Sequence, residues 1–406
     1  MSALAEPVGE SVVDDRLARR NARVLAVGQA LAGGNNTVVV TTGGIIGSIL
    51  APDKGLATLP ITLMVVGMWV GTLPVGAIAK RYGRRFALQT GSVFGTLAGL
   101  VSCVAVLQGS FALLLLGSFL AGLYAAAHQS YRFAAADTAS DAFRPKAVSW
   151  VLIGGIFAAV IGPQIIIFTK DMWPPYLFAA TFLAQAGLAI VAAGVLTLVK
   201  IPRPRTGPDI TAGRPITDFL RMPRFFVAVA CGVASYAMMN LVMTSAPLAM
   251  VGCGHSITDA TLGLQWHVLA MYAPSFVTGS LIIRFGVERV VIAGLALIAA
   301  SAVVGLMGLT VAHFWVGLIL LGIGWNFAFV GATTMVTQCH RPEERNKVQA
   351  FNDFLVFGSM AIGSFASGKL LATLGWAAVN EVVFPVVFIA AALVIWLSFQ
   401  TRRRAA

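Results

Sequence analysis

Long apolar runs, each closed by a few charged, proline or glycine residues, fill almost all of this 406-residue chain. A helix of about 20 apolar residues is long enough to cross a bilayer. Boundaries set by charge, Pro and Gly predict membrane helices over 24–51, 57–79, 86–107, 111–134, 147–168 and 176–198. A second set follows over 223–251, 258–283, 288–310, 313–337, 347–371 and 378–399. The fourth segment has the softest end, because polar residues thicken from His128 onward. The expected fold is an all-α membrane protein of twelve transmembrane helices.

The polar stretches divide the chain. Residues 1–23 carry both signs of charge and no apolar signal-peptide core, so they read as a cytoplasmic N-terminal tail. Residues 24–199 form one six-helix bundle and 223–400 a second. Between them 200–222, rich in Pro, Gly and Arg, reads as a cytoplasmic linker, and 401–406 is a basic C-terminal tail. Of the 28 lysines and arginines, all but Lys54, Lys170 and Lys369 fall on one face in this assignment. Cations gather on the cytoplasmic side of membrane proteins, so both ends are expected there. The halves also echo each other at a separation of about 200 residues, as in transporters built from repeats. Gly28, Asn36 and Thr41 align with Gly232, Asn240 and Ser245. Gly76 aligns with Gly279, Arg144-Pro-Lys146 with Arg345-Asn-Lys347, and Tyr124 falls opposite Trp325. The bundles are therefore expected to be pseudo-symmetric.

Composition agrees with this picture and removes other classes. The chain is 58% hydrophobic and 11% charged, with a mean hydropathy of +0.85, more apolar surface than a soluble protein of this length could bury. A net charge of +12 would suggest nucleic acid in a soluble protein. Here the cations sit in short loops between apolar runs, so no nucleic-acid partner is expected. Cys103, Cys231, Cys253 and Cys339 lack metal or redox spacing and read as free thiols. No metalloprotease, nucleophile-elbow or phosphate-loop motif occurs, so an enzyme, a cofactor and a metal are not expected. Without an ATP site, transport would be downhill or driven by a gradient of H+ or Na+. The expected setting is the bacterial inner membrane, with the lipid bilayer and a small-molecule substrate as partners and the chain a monomer.

One stretch carries a family resemblance. Gly76–Leu88 reads GAIAKRYGRRFAL, with Lys80, Arg81, Arg84 and Arg85 around Gly83 between two apolar runs. This resembles the loop between helices 2 and 3 of the major facilitator superfamily, G-x3-D-R-x-G-R-R, with Lys80 where the family has Asp. A weaker echo runs from Gly279 to Arg289. Gly154, Gly155 and Gly162-Pro163 resemble the antiporter signature of the family's fifth helix. Asn35 stands where drug–proton exchangers often carry a carboxylate, and Ser118 where they often carry Arg. The resemblance implies alternating access about a central cavity lined by helices 1, 4, 7, 8, 10 and 11. It also implies a cytoplasmic latch between that loop and the start of helix 11; here either Lys80 and Asp353 form it with charges swapped, or Lys80 is one more topogenic cation.

Polar and aromatic residues inside the spans are the candidate site, because each is costly in lipid without a partner or water. Asn35 and Asn36 either line the cavity or pack helices together. Tyr236 and Asn240 share a face one turn apart. His267 either binds, gates or carries a proton, or is a neutral side chain bonded to a neighbouring helix. Tyr124, Trp325 and Asn326 lie near the midplane, as an aromatic sandwich for a planar solute or as core. Arg132 is the main cation among these residues, and Asp353 the one acid placed clearly inside a span. Coupling or gating is assigned to His267, Asp353 and Lys80. The set suits a neutral, amphipathic or planar aromatic solute more than a phosphate ester. The reading is a secondary active transporter of a small organic solute by alternating access, with proton-coupled efflux first. Uptake of a nutrient or vitamin-like solute, and a non-transporting membrane sensor or assembly protein, stay open.

Overall fold

The structure, a computed structural model, describes residues 15–140, 143–201, 214–341 and 344–405. The expected tail over 1–14 and most of the linker, 202–213, lie outside the described residues. Among the described residues, helix is the only extended secondary structure. The first half contains α1 (Arg16–Leu50), α2 (Leu59–Tyr82), α3 (Arg84–Gln108), α4 (Phe111–Gln129), α5 (Tyr131–Ala136), α6 (Arg144–Thr169) and α7 (Ala179–Leu196). The second contains α8 (Ile216–Leu220), α9 (Pro223–Gly252), α10 (Ile257–Tyr272), α11 (Ser275–Phe285), α12 (Val287–Met307), α13 (Val311–Thr337), α14 (Arg345–Glu381) and α15 (Val383–Ala405).

Four boundaries differ from the sequence reading, one of them at the C-terminal end, where α15 runs on through 401–405 of the stretch read as tail. Helix α1 starts at Arg16, inside the stretch read as tail. The fourth segment breaks at Ser130 into α4 and α5, where polar residues begin. The eighth bends by 43° between α10 and α11, at Pro274, which has no backbone N–H to continue the ladder. Among the described residues, nine stretches are long and apolar enough to cross a membrane, or ten with the bent pair as one span. One of the nine, Lys347–Gln400, has 54 residues, roughly 80 Å of helix at 1.5 Å per residue and more than two bilayer cores deep. It turns at Gly375, whose φ of 80° lies outside helical space.

The two halves repeat local devices. Gly83 (φ 94°, ψ 157°) joins α2 to α3, and Gly286 (φ 87°, ψ 150°) joins α11 to α12. This backbone region is essentially closed to residues with a Cβ. A Cβ on Gly122 of α4 would sit 2.1 Å from the Met64 carbonyl of α2, and one on Gly322 of α13 would sit 2.6 Å from the His267 carbonyl of α10. In both halves, then, a glycine lets the fourth long helix lie against the second. Separate apolar cores form within the halves, one around Leu25, Tyr131 and Leu196 and one around Met239, Leu295 and Leu321.

Contacts between the halves concentrate at the end away from the basic α2–α3 turn. Thr58 Oγ1 donates to the Ser364 carbonyl at 3.0 Å, and Thr62 Oγ1 to Ser364 Oγ at 3.2 Å. Gln164 Nε2 of α6 donates to Gln265 Oε1 of α10 at 3.0 Å. Toward the basic end, Trp69 of α2 meets Phe354 of α14, ring centroids 4.9 Å apart, and below that contact the halves part around a cavity.

Candidate functional site

Two adjoining cavities, with lining residues in common, lie between the halves. The upper, central one has a volume of about 100 Å³ and is walled by α1, α2, α4, α6, α9, α10 and α14. Its apolar wall includes Met64, Met68, Met239, Met243, Met271 and Met360. The pairs Met64/Met68 and Met239/Met243 are each four apart, which turns both thioethers to one helix face. Thioethers are polarizable and adaptable, and they favour contact with aromatic rings. Tyr236 and Tyr272 add two rings, while Gln29, Asn36, His128 and Gln129 supply polar groups. Three buried polar atoms on this wall, Asn36 Oδ1, Thr41 Oγ1 and His128 Nδ1, make no hydrogen bond within the protein. Leaving such atoms unpaired costs about 1–3 kcal/mol each, so a solute that pairs with them is favoured.

The lower cavity, about 560 Å³, lies toward the basic end and is bounded by α2, the start of α3, α4, α5 and α14. Met68 and Gln129 line both cavities, which adjoin there. Arg132 of the first half and Asp353 of the second share this lower wall with Gly76, Arg84, Trp69 and Phe354. Arg132 Nε makes no hydrogen bond within the protein.

The structure divides the residues singled out in the sequence. Asn36 and Tyr236 come together in the central cavity, and Arg132 and Asp353 in the lower one. The others are turned to packing. Asn35, on the next position of the helix from Asn36, exchanges hydrogen bonds with Gln185 of α7, donating to its carbonyl at 2.9 Å and accepting from Nε2 at 3.2 Å. Tyr124 is buried against α3, where only a glycine, Gly95, leaves room for its ring. Asn240 donates to the Met360 carbonyl at 3.0 Å and so ties α9 to α14. His267 is fully buried with Nδ1 2.7 Å from the Leu318 carbonyl, on the side of α10 that faces α13. Asn326 donates to the Met271 carbonyl and to Ser275 Oγ, both at 2.7 Å, and accepts from Thr278 Oγ1, pinning the bend between α10 and α11. Trp325 stands behind Tyr236, its ring edge-on at 5.2 Å and stacked on Phe329. Helix α13 thus supports the cavity from behind, while α2 and α6 join its wall.

In the basic loop motif, Gly83 makes the turn and Arg84 Nε pairs with Asp137 Oδ2 at 2.8 Å, linking the loop to the end of α5. Lys80 and Asp353 do not pair with each other in this arrangement; the latch expected of them belongs to a closed basic end, whereas here the halves are parted. Gly154, Gly155 and Gly162, read as an antiporter signature, sit where α6 meets α1 and α10. A Cβ on Gly154 would lie 2.2 Å from the Ala26 carbonyl, and one on Gly162 would lie 2.7 Å from that of Gly34.

The methionine lining, Gln29 and Tyr272 were not among the candidates assigned from sequence. The two i, i+4 methionine pairs were the available signal; apolar side chains give no sign of which helix face meets a cavity.

Comparison with known proteins follows the same lines. The profile of the Major Facilitator Superfamily matches residues 25–274 and 230–406. The riboflavin transporter RfnT of Brucella anthropi is 48% identical over 378 residues, 93% of this chain and 95% of the relative. Among solved structures, the nucleoside transporter NupG superposes with a TM-score of 0.72 at 12% identity, over 94% of this chain and 99% of NupG. A D-xylose–proton symporter gives a TM-score of 0.71 at 17% identity, over 92% of this chain and 96% of its own. These two likenesses speak for the fold.

Proposed function

The chain belongs to the Major Facilitator Superfamily, a multi-pass membrane transporter and not an enzyme, and we propose that it carries riboflavin, or a solute of the same planar heteroaromatic kind, into the cell. The observation that carries this reading is the central cavity: six methionines and two tyrosines around unpaired polar atoms of Asn36, Thr41 and His128. Thioethers and rings suit the faces of a flat ring system, and the unpaired atoms suit its hydrogen-bonding edge. The RfnT relative supports the same solute. The α6 glycines, which favoured efflux in the sequence, are accounted for by close packing, so uptake becomes the preferred direction.

In this reading twelve helices form two bundles that rock about the central cavity, the chain works as a monomer, and both ends lie in the cytoplasm. The basic end is then cytoplasmic, and the structure is an inward-facing state sealed on the outer side. Coupling to H+ or Na+, where it operates, falls to Asp353, because His267 Nδ1 is engaged with Leu318 and its ring faces α13. The test is uptake of labelled riboflavin by cells that neither make nor otherwise import it. Expression should give uptake, and Asn36→Ala and Tyr272→Ala should each lower it about tenfold or more, the effect of losing about 1.4 kcal/mol of binding. A proton gradient should stimulate the parent but not Asp353→Asn. No uptake by the parent chain rules out this reading, and export of preloaded riboflavin reverses the direction.

A further inference from the structure

The two cavities differ in size in a way that bears on the transport path. Small-molecule sites run to about 300–1,000 Å³. The central cavity, at about 100 Å³, is below that range in this state, while the lower cavity, at about 560 Å³, is inside it. The lower cavity also has the makings of a site. Trp69, Phe354 and Phe357 present rings from both halves. A cation and an anion, Arg132 and Asp353, lie on opposite halves, and Gln129 stands where the two cavities adjoin. Arg132 Nε is buried and has no hydrogen-bond partner. A wall with both signs of charge disfavours a purely anionic or purely cationic occupant, an anionic lipid included. It suits a neutral molecule that offers donors and acceptors together, such as a polyhydroxylated chain attached to an aromatic ring.

We propose that the lower cavity is a second solute station, where the ring of the transported molecule rests on Trp69 and Phe354 and its hydroxyl-bearing chain bridges Arg132 and Asp353. This rests on the reading of the solute as riboflavin-like. Because the walls come from both halves, the station exists only while the basic end is parted. Closing that end brings Arg132 and Asp353 toward each other and empties it. The solute therefore passes through two sites, which adjoin at Met68 and Gln129.

The experiment is calorimetric titration of the full-length chain in nanodiscs with riboflavin. Two molecules should bind per chain, the central cavity widening from its about 100 Å³ here as it fills. Arg132→Gln and Asp353→Asn, both close in shape to the parent side chains, should each reduce this to one. Asn36→Ala should weaken the other molecule and leave the station occupied. As a second measurement, riboflavin should slow thiol labelling of Ala350→Cys in a Cys253→Ser background, since Ala350 lines the lower cavity. One bound molecule in the parent, unaffected by Arg132→Gln and Asp353→Asn and giving no protection at position 350, overturns the station while leaving riboflavin as the solute. If riboflavin neither binds nor is transported, the functional reading fails and the station falls with it.

Discussion

Glu344, at the entrance to α14, is buried and accepts four donors. Arg214 reaches it with Nε at 2.9 Å, Nη2 at 2.8 Å and its own backbone N–H at 3.2 Å, and the Arg341 backbone N–H lies at 3.0 Å. These bonds, the Arg214 side chain first, hold the carboxyl well below the ordinary glutamate value of 4.5. A group whose pKa is depressed on folding adds stability above its unfolded pKa and loses it as pH falls toward the folded one. The parent should therefore lose melting temperature as pH drops below about 4.5, and Glu344→Gln should flatten that part of the profile. At neutral pH the variant should melt a few degrees lower, read by thermal unfolding in detergent. No single sequence feature marked this pair, because Arg214 lies at the far edge of the linker from Glu344. The same limit applies to the amides. Asn35 and Asn36 are adjacent and equally polar, yet one bonds α7 and the other faces the cavity. A helix turns about 100° per residue, so the sequence places both at one depth and leaves the facing open.

Elements were far more legible than side-chain directions. The apolar segments reappear as long helices among the described residues, two of them broken and the last two meeting within one stretch that turns at Gly375, because exclusion of unpaired backbone from lipid forces long helices wherever apolar residues persist. The break at Ser130 falls where polar residues begin, and the bend at Pro274 falls at a proline inside an apolar run; neither residue by itself says whether a helix ends or only bends. The basic turn was readable in part. Gly83 and Gly286 hold φ of 94° and 87° with ψ near extended values, so a Cβ at either is strained. Gly76, in the same motif, has open space where a Cβ would go. Gly83→Ala and Gly286→Ala should each cost about 1–3 kcal/mol, while Gly76→Ala should leave thermal stability unchanged. Equal melting of all three variants would show that these turns relax without strain.

At the scale of the whole molecule, the structure is a pair of bundles held together at one end. An expected division into halves was legible in the polar stretch over 200–222 and in the recurring glycines, which lie along the chain. Which end was sealed could not be read from the sequence, because under the alternating access proposed above one sequence encodes two arrangements of the same contacts. The Gln164–Gln265 bond and the Thr58, Thr62 and Ser364 cluster close the end opposite the basic turn. Replacing both glutamines by Glu sets like charges where a 3.0 Å hydrogen bond stood. Two unit charges 4 Å apart repel by about 4 kcal/mol at an effective dielectric of about 20. That approaches the roughly 5.5 kcal/mol that carries a two-state equilibrium from 1:99 to 99:1. Gln164→Glu with Gln265→Glu should therefore open the sealed end. A membrane-impermeant thiol reagent added outside should then label Thr41→Cys on the central cavity wall, in a Cys253→Ser background, where the otherwise unaltered chain is protected. Gln164→Glu with Gln265→Lys should restore protection, because opposite charges rebuild the contact. Labelling that ignores both pairs would mean that the threonine–serine cluster alone carries the seal.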